Sequence, residues 1–139
     1  GFLPQKAAQR QKKLRELALE MRTLIFYEAP HRILDTLSDM EKVLGARKAV
    51  LSKEITKMHE EMLRGTISEI LGILEHKIIA GEYVIIVEGM KREDVSIDIA
   101  LDEIKALMKK GKGRKEAVKI VAEAYGLSKK ELYDKLLEE

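Results

Sequence analysis

Apolar residues follow two periods along the first ninety positions. Leu14, Leu17, Ala18 and Met21 recur at helical spacing, which predicts an amphipathic helix from Gln5 to Met21 with a basic first half. "TLIFY" (23–27) is a short apolar run and predicts a buried strand. Pro30 suits the first turn of a helix whose stripe is Ile33, Leu34, Leu37, Met40 and Leu44, and Gly45 is placed to end it. "KAVLSK" (48–53) predicts a second strand, and "EITKMHEEMLRG" (54–65) reads as a polar connection, partly helical at most. Thr66 and Glu69 form a capping-box pattern that opens a helix reaching about His76. "EYVIIVEG" (82–89) is a near-continuous apolar run, as expected of a strand covered on both faces. Alternating helices and strands predict an α/β fold, a three-layer sandwich with a mostly parallel central sheet.

The character changes after "MKREDVS". Ile97, Leu101, Ile104 and Met108 mark one helix, and "KGKG" (110–113) breaks it. Ala117, Val118, Ile120, Val121 and Ala124 mark a second, closed by Gly126. Ser128 and Glu131 cap a third, which carries Leu132, Leu136 and Leu137. The expected organisation is therefore an α/β domain over 1–90, a linker over 91–95 and a small three-helix extension over 96–139.

Composition narrows the classes. Hydrophobic residues make up 45% of the 139 positions, enough for a core. No apolar run approaches the roughly 20 residues that span a bilayer, and no signal-peptide layout opens the chain, so a cytoplasmic setting without a membrane is expected. The absence of Cys excludes disulfides, thiolate nucleophiles and thiolate metal sites. The formal net charge is only +2, but it is unevenly spread. Lys6, Arg10, Lys12, Lys13 and Arg15 form one basic stretch; Lys105, Lys109, Lys110, Lys112, Arg114, Lys115 and Lys119 form another. Each is either a phosphate-facing surface or a solvated helix face.

Ligands of open α/β sheets bind beyond the carboxyl ends of the strands. That edge should gather Tyr27, Glu28, His31 and Arg32 from the first strand, Ser52, Lys53, Glu54, Lys57, His59 and Glu60 from the second, and Glu88 from the third. The same residues could instead cap helices and pair across strands. No metal is expected, because His31 and His59 lack a metal-binding spacing. No P-loop, GxGxxG or GxSxG occurs.

"GFLPQK", "RTLIFYEAPHRI", "SKEITKMHEEMLRGT" and "GEYVIIVEG", in this order, resemble the ribosomal RNA small subunit methyltransferase I family. That family lies within the tetrapyrrole-methylase-like, class III S-adenosylmethionine-dependent methyltransferases. The resemblance runs through residues 1–89, and "GKGRKEAVKIVAEAYGLSKKELY" is similar to the family's C-terminal extension. One departure is Lys53, where the family pattern has Arg; bidentate phosphate binding would be weaker.

The resemblance implies transfer of a methyl group from S-adenosylmethionine to a cytidine ribose 2′-hydroxyl in the decoding region of 16S rRNA. It implies a two-domain enzyme, usually a homodimer, with the cofactor between its domains. This chain would then be the second domain and tail, inactive alone, its partners being the small ribosomal subunit and the missing N-terminal domain. Carried over by position, Tyr27, Glu28, Leu51, Ser52, Glu82 and Tyr83 would line the cofactor, largely through backbone groups. His31, Arg32, Lys53, Glu54, Lys57, His59, Glu60 and Arg64 would face the RNA as the catalytic set. His31, His59 and Glu54 are the candidate proton acceptors. The alternatives are a tetrapyrrole or other small-molecule methyltransferase of the same class, and a non-enzymatic nucleic-acid-binding module.

Overall fold

The computed structural model describes residues 1–53, 58 and 60–139. Contacts divide the chain into two compact units, Gly1–Met90 and Lys91–Glu139.

The first unit begins with α1 (Ala7–Leu17), β1 (Leu24–Glu28), α2 (Ile33–Leu44) and β2 (Lys48–Lys53). It continues with β3 (Glu61–Thr66), α3 (Ile67–Leu74) and β4 (Tyr83–Val87). Its four strands form one sheet in the order β1-β4-β2-β3, and every neighbouring pair is antiparallel. This overturns the expected parallel sheet. β1 and β2 do run the same way, joined through α2, but β4 fills the slot between them. β3 and β4 likewise run the same way, joined through α3, with β2 between them. Two crossovers interleave, and each supplies the antiparallel neighbour of the other's strands. Helix–strand alternation along the chain predicts crossovers; it does not say which strands become neighbours.

The three-layer expectation fails as well. Side chains alternate across the sheet, and one face (Leu24, Phe26, Ala49, Leu51, Tyr83, Ile85 and Val87) packs with Leu14, Ile33, Leu37, Met40, Ile67 and Ile70 of the helices. The other face lacks such cover: Ile25 and Tyr27 of β1 and Met62 of β3 are exposed. "EMLRG", expected as connection, forms with Thr66 the strand β3, paired with β2 from Lys48↔Thr66 to Lys53↔Glu61.

Local chemistry explains the element ends. Gly45 closes α2 with φ 72°, and the Thr66 hydroxyl accepts from the Glu69 N–H at 3.2 Å to open α3. α1 and α2 are tied by a buried ion pair, Arg10 Nε to Asp39 Oδ2 at 2.7 Å. Gln11 Nε2 donates to Asp39 Oδ1 at 2.9 Å, so both carboxylate oxygens are satisfied. At the β4 exit the backbone runs so close to residues 21 and 22 that a Cβ on Gly89 would sit 2.2 Å from the Met21 carbonyl oxygen. Only glycine fits there.

The second unit contains a 3-10 turn (Arg92–Asp94), α4 (Ile97–Lys109), α5 (Arg114–Tyr125) and α6 (Lys129–Leu137). Its core is Ala100, Leu101, Ile104, Ala117, Val118, Val121, Ala122 and Leu132. Ser96 and Ser128 cap α4 and α6 through the N–H groups of Ile99 and Glu131. Gly126 ends α5 in the left-handed conformation.

Candidate functional site

Antiparallel register gathers one end of the sheet into a row. Glu28 closes β1 opposite Tyr83, which opens β4; Tyr83 lies opposite Lys53, the last residue of β2; Lys53 lies opposite Glu61, which opens β3. Four residues spread over 55 positions of sequence thus share one edge. His31 and Arg32 follow β1 there, and Glu60 and Glu82 precede β3 and β4.

Glu88 is not among them. β4 runs against β1 and β2, so its exit lies at the far end of the sheet, where the Glu88 N–H donates to the Lys48 carbonyl at 2.9 Å. Arg64 is also removed from the row. It pairs with Val50 midway along the edge strand β3, three residues from Glu61 and about 10 Å up the strand. Its side chain is exposed on the uncovered face. Glu54, Lys57 and His59 lie outside the described residues.

The side chains at the edge differ in freedom. The Glu28 carboxylate is buried and committed: it accepts from the Ala29 N–H at 2.9 Å and from the Thr36 hydroxyl at 2.8 Å. Arg32 Nε lies 3.2 Å from the same carboxylate but is not aligned to donate to it. The Glu28 side chain is therefore an anchor that holds the start of α2 and places Arg32; it presents little to a ligand. His31 is exposed. Tyr27 points to the uncovered face, its ring 5.7 Å from that of Phe2, and its N–H is taken by the Gly1 carbonyl at 3.0 Å. Leu51 is core.

Two hydroxyls stand out. Ser52 Oγ and Tyr83 Oη are buried and have no hydrogen-bond partner among the described residues. A buried polar group left unpaired costs about 1–3 kcal/mol, so such atoms cluster where a ligand completes them. Beside Tyr83 a small pocket is lined by Leu51, Lys53, Glu61, Leu63, Leu74, Lys77 and Ile78. Lys77 Nζ hydrogen-bonds Glu61 Oε1, which lowers the Glu61 carboxyl pKa, with Lys53 adding a smaller Coulombic pull. The pocket mouth is thus two cations around one carboxylate.

Sequence reasoning missed Thr36, Glu61 and Lys77. The signal for Glu61 was present in Met62 and Leu63 before Gly65, a short apolar pair able to mate with "KAVLSK". Thr36 and Lys77 sit on helices, and nothing in their spacing tells that they reach this edge. Among the described residues no group of three or more His, Asp or Glu could hold a metal ion, and no helix is long and apolar enough to cross a membrane.

The description "RsmI C-terminal HTH domain" matches residues 100–139, from within α4 through α6. The chain is 38% identical to the ribosomal RNA small subunit methyltransferase I of Bacillus subtilis (strain 168), covering 96% of this chain and 48% of that protein. It is 45% identical to the protein of the same name from Haemophilus influenzae, covering 96% and 49%. For that of Synechocystis the identity is 38%, covering 99% and 51%. The chain spans about half the length of the curated relatives it matches. Over that span it is similar to proteins named ribosomal RNA small subunit methyltransferase I, and its last forty residues match the C-terminal domain of that family.

Proposed function

We propose that the chain is the C-terminal part of an S-adenosylmethionine-dependent enzyme that methylates a cytidine ribose 2′-hydroxyl in the decoding region of 16S rRNA. The observation that carries this reading is the match of nearly the whole chain to proteins named ribosomal RNA small subunit methyltransferase I. The whole protein would work in the cytoplasm as a homodimer, with its other α/β domain supplying the rest of the cofactor cleft.

The edge fits one wall of such a cleft. On the helix-covered face Tyr83 Oη lacks a partner and Lys53 stands opposite it in the register, and Ser52 Oγ lacks a partner on the other face. Hydroxyls, an amine and a carboxylate, all present on S-adenosylmethionine, match that set of donors and acceptors. Bound there, the cofactor supplies a methyl group already activated on a sulfonium. The residues of this chain then have mainly to align the ribose oxygen and take its proton. Arg32, anchored by Glu28, and Lys53 are the described cations placed to contact a phosphate or the developing alkoxide. His31, His59 and Glu54 are the proposed proton acceptors, and Lys57 and Glu60 complete the proposed set.

Two measurements test the reading. The whole protein should transfer labelled methyl from S-adenosylmethionine to small-subunit rRNA; transfer to a porphyrin precursor instead would move it to the small-molecule class. By calorimetry, this chain alone should show no binding of S-adenosylmethionine, and the chain joined to its first domain should bind it. Tight binding by the chain alone would overturn the two-domain cleft.

A further inference from the structure

The C-terminal unit carries two surfaces of different charge. The α4–α5 turn and the first turns of α5 present Lys109, Lys110, Lys112, Arg114, Lys115 and Lys119, all exposed. Glu116 is the one carboxylate in that stretch, so its local charge is +5. Among the described residues, Lys112 alone of the six has an ion-pair partner, Glu116 Oε1 at 3.3 Å. Lys115 and Lys119 lie four apart on one helix face, a mildly unfavourable like-charge pairing. Gly111 and Gly113 leave the turn open, with nothing within 4 Å of where either Cβ would sit.

α6 is built differently. Lys129 Nζ meets Glu123 Oε1 and Lys135 Nζ meets Glu138 Oε2, each at 3.4 Å. From Ser128 to the end, three lysines face four carboxylates, a local charge of −1. In helix-turn-helix proteins the second helix of the pair enters the groove and reads bases. Here that helix would be α6, and its charge opposes an approach to phosphate.

We propose that the α4–α5 turn, and not α6, is the surface by which this chain holds RNA, through backbone phosphates and without reading bases. Residues 109–119 contain no Phe, Tyr or Trp, so the turn offers no ring on which a base could stack. Unpaired cations crowded on one exposed turn are the footprint of a polyanion partner. The choice of RNA as that polyanion rests on the proposed rRNA substrate.

The test is fluorescence anisotropy of this chain with a labelled RNA hairpin across a salt series. Each phosphate neutralised contributes about −0.7 to −0.9 to the slope of log K against log salt, so the turn should give roughly −3 to −5. The combined variant Lys110→Gln, Arg114→Gln, Lys115→Gln and Lys119→Gln should flatten that slope by about 3. Its circular dichroism should be unchanged. Lys129→Gln with Lys130→Gln on α6 should leave affinity within about twofold, and a hairpin of shuffled sequence should bind equally well. The proposal is overturned if the α6 pair accounts for the loss, or if the fourfold variant keeps the full slope. Strong sequence preference, or binding to phosphatidylglycerol vesicles with none to RNA, overturns it too. None of these readouts needs cofactor or turnover, so failure of methyl transfer in the whole protein would leave this surface standing.

Discussion

The two units solve different problems with different architecture. In the first, register brings Glu28, Tyr83, Lys53 and Glu61 into one row from four separate stretches of chain. In the second, three helices pack around one apolar core that includes Ala100, Ile104, Val121 and Leu132, and the charged groups stay outside. A sheet edge can converge donors, acceptors and a buried anchor on one point. A bundle of three short helices displays charge but converges nothing. We therefore propose chemistry for the first unit and affinity for the RNA backbone for the second.

The largest expected break in that contrast concerns buried charge. The first unit encloses Arg10 and Asp39, each about 95% covered, whereas every charged residue of the second unit is at least partly exposed. Arg10→Met would strand the Asp39 carboxylate and should cost about 3–5 kcal/mol in urea unfolding. Amide exchange should show α4–α6 unaffected. A cost near zero would mean that water reaches Asp39 and that the two units are less different than they look.

Leu132 is the fully buried residue by which α6 joins the core of the second unit. Leu132→Ala should remove about 2–5 kcal/mol from that unit alone. Slow-exchanging amides of β1 and β4 should keep their protection. Parallel loss in both units would contradict separate cores.

At the edge itself the effect is smaller. Thr36→Val keeps the shape and deletes the hydroxyl that donates to Glu28, leaving a buried oxygen unpaired at a cost of about 1–3 kcal/mol. If Glu28 is an anchor, the same variant should loosen Arg32, seen as increased side-chain mobility by NMR relaxation.

How much of this was legible in the chain depends on range. Local signals carried: "KAVLSK" is β2, the stripe from Ile33 to Leu44 is α2, and the Thr66–Glu69 and Ser128–Glu131 patterns are helix caps. Strand neighbours did not carry, because pairing Tyr83 with Lys53 across about thirty residues leaves no mark in either segment. The parallel sheet was inferred from alternation, and the same inference misplaced Glu88 at the working edge. The family resemblance pointed to Glu82 and Tyr83, and the register pairs Tyr83 with Glu28 and Lys53. Burial was invisible too. Glu28 reads as a free carboxylate in "YEAPHR", and only packing against Thr36 shows it occupied.

The smallest effect is a titration. Arg22 hydrogen-bonds Glu20 and draws its carboxyl pKa from 4.5 down to about 2. A depressed carboxylate contributes stability that is present above about pH 4.5 and fades as pH falls through about 2. Carbon-13 NMR should find that midpoint, and Arg22→Ala should return it toward 4.5. An unchanged midpoint would remove the pair.

We propose that the Glu28–Tyr83–Lys53–Glu61 end of the sheet is its working end. The most direct measurement is single-turnover transfer of labelled methyl to small-subunit rRNA by the whole protein. Arg32→Ala and Lys53→Ala are compared with Lys48→Ala at the opposite end. The first two should lose at least about tenfold, the worth of about 1.4 kcal/mol of transition-state contact, and the third less than about twofold. Equal losses at the two ends, or a loss confined to Lys48→Ala, would contradict it.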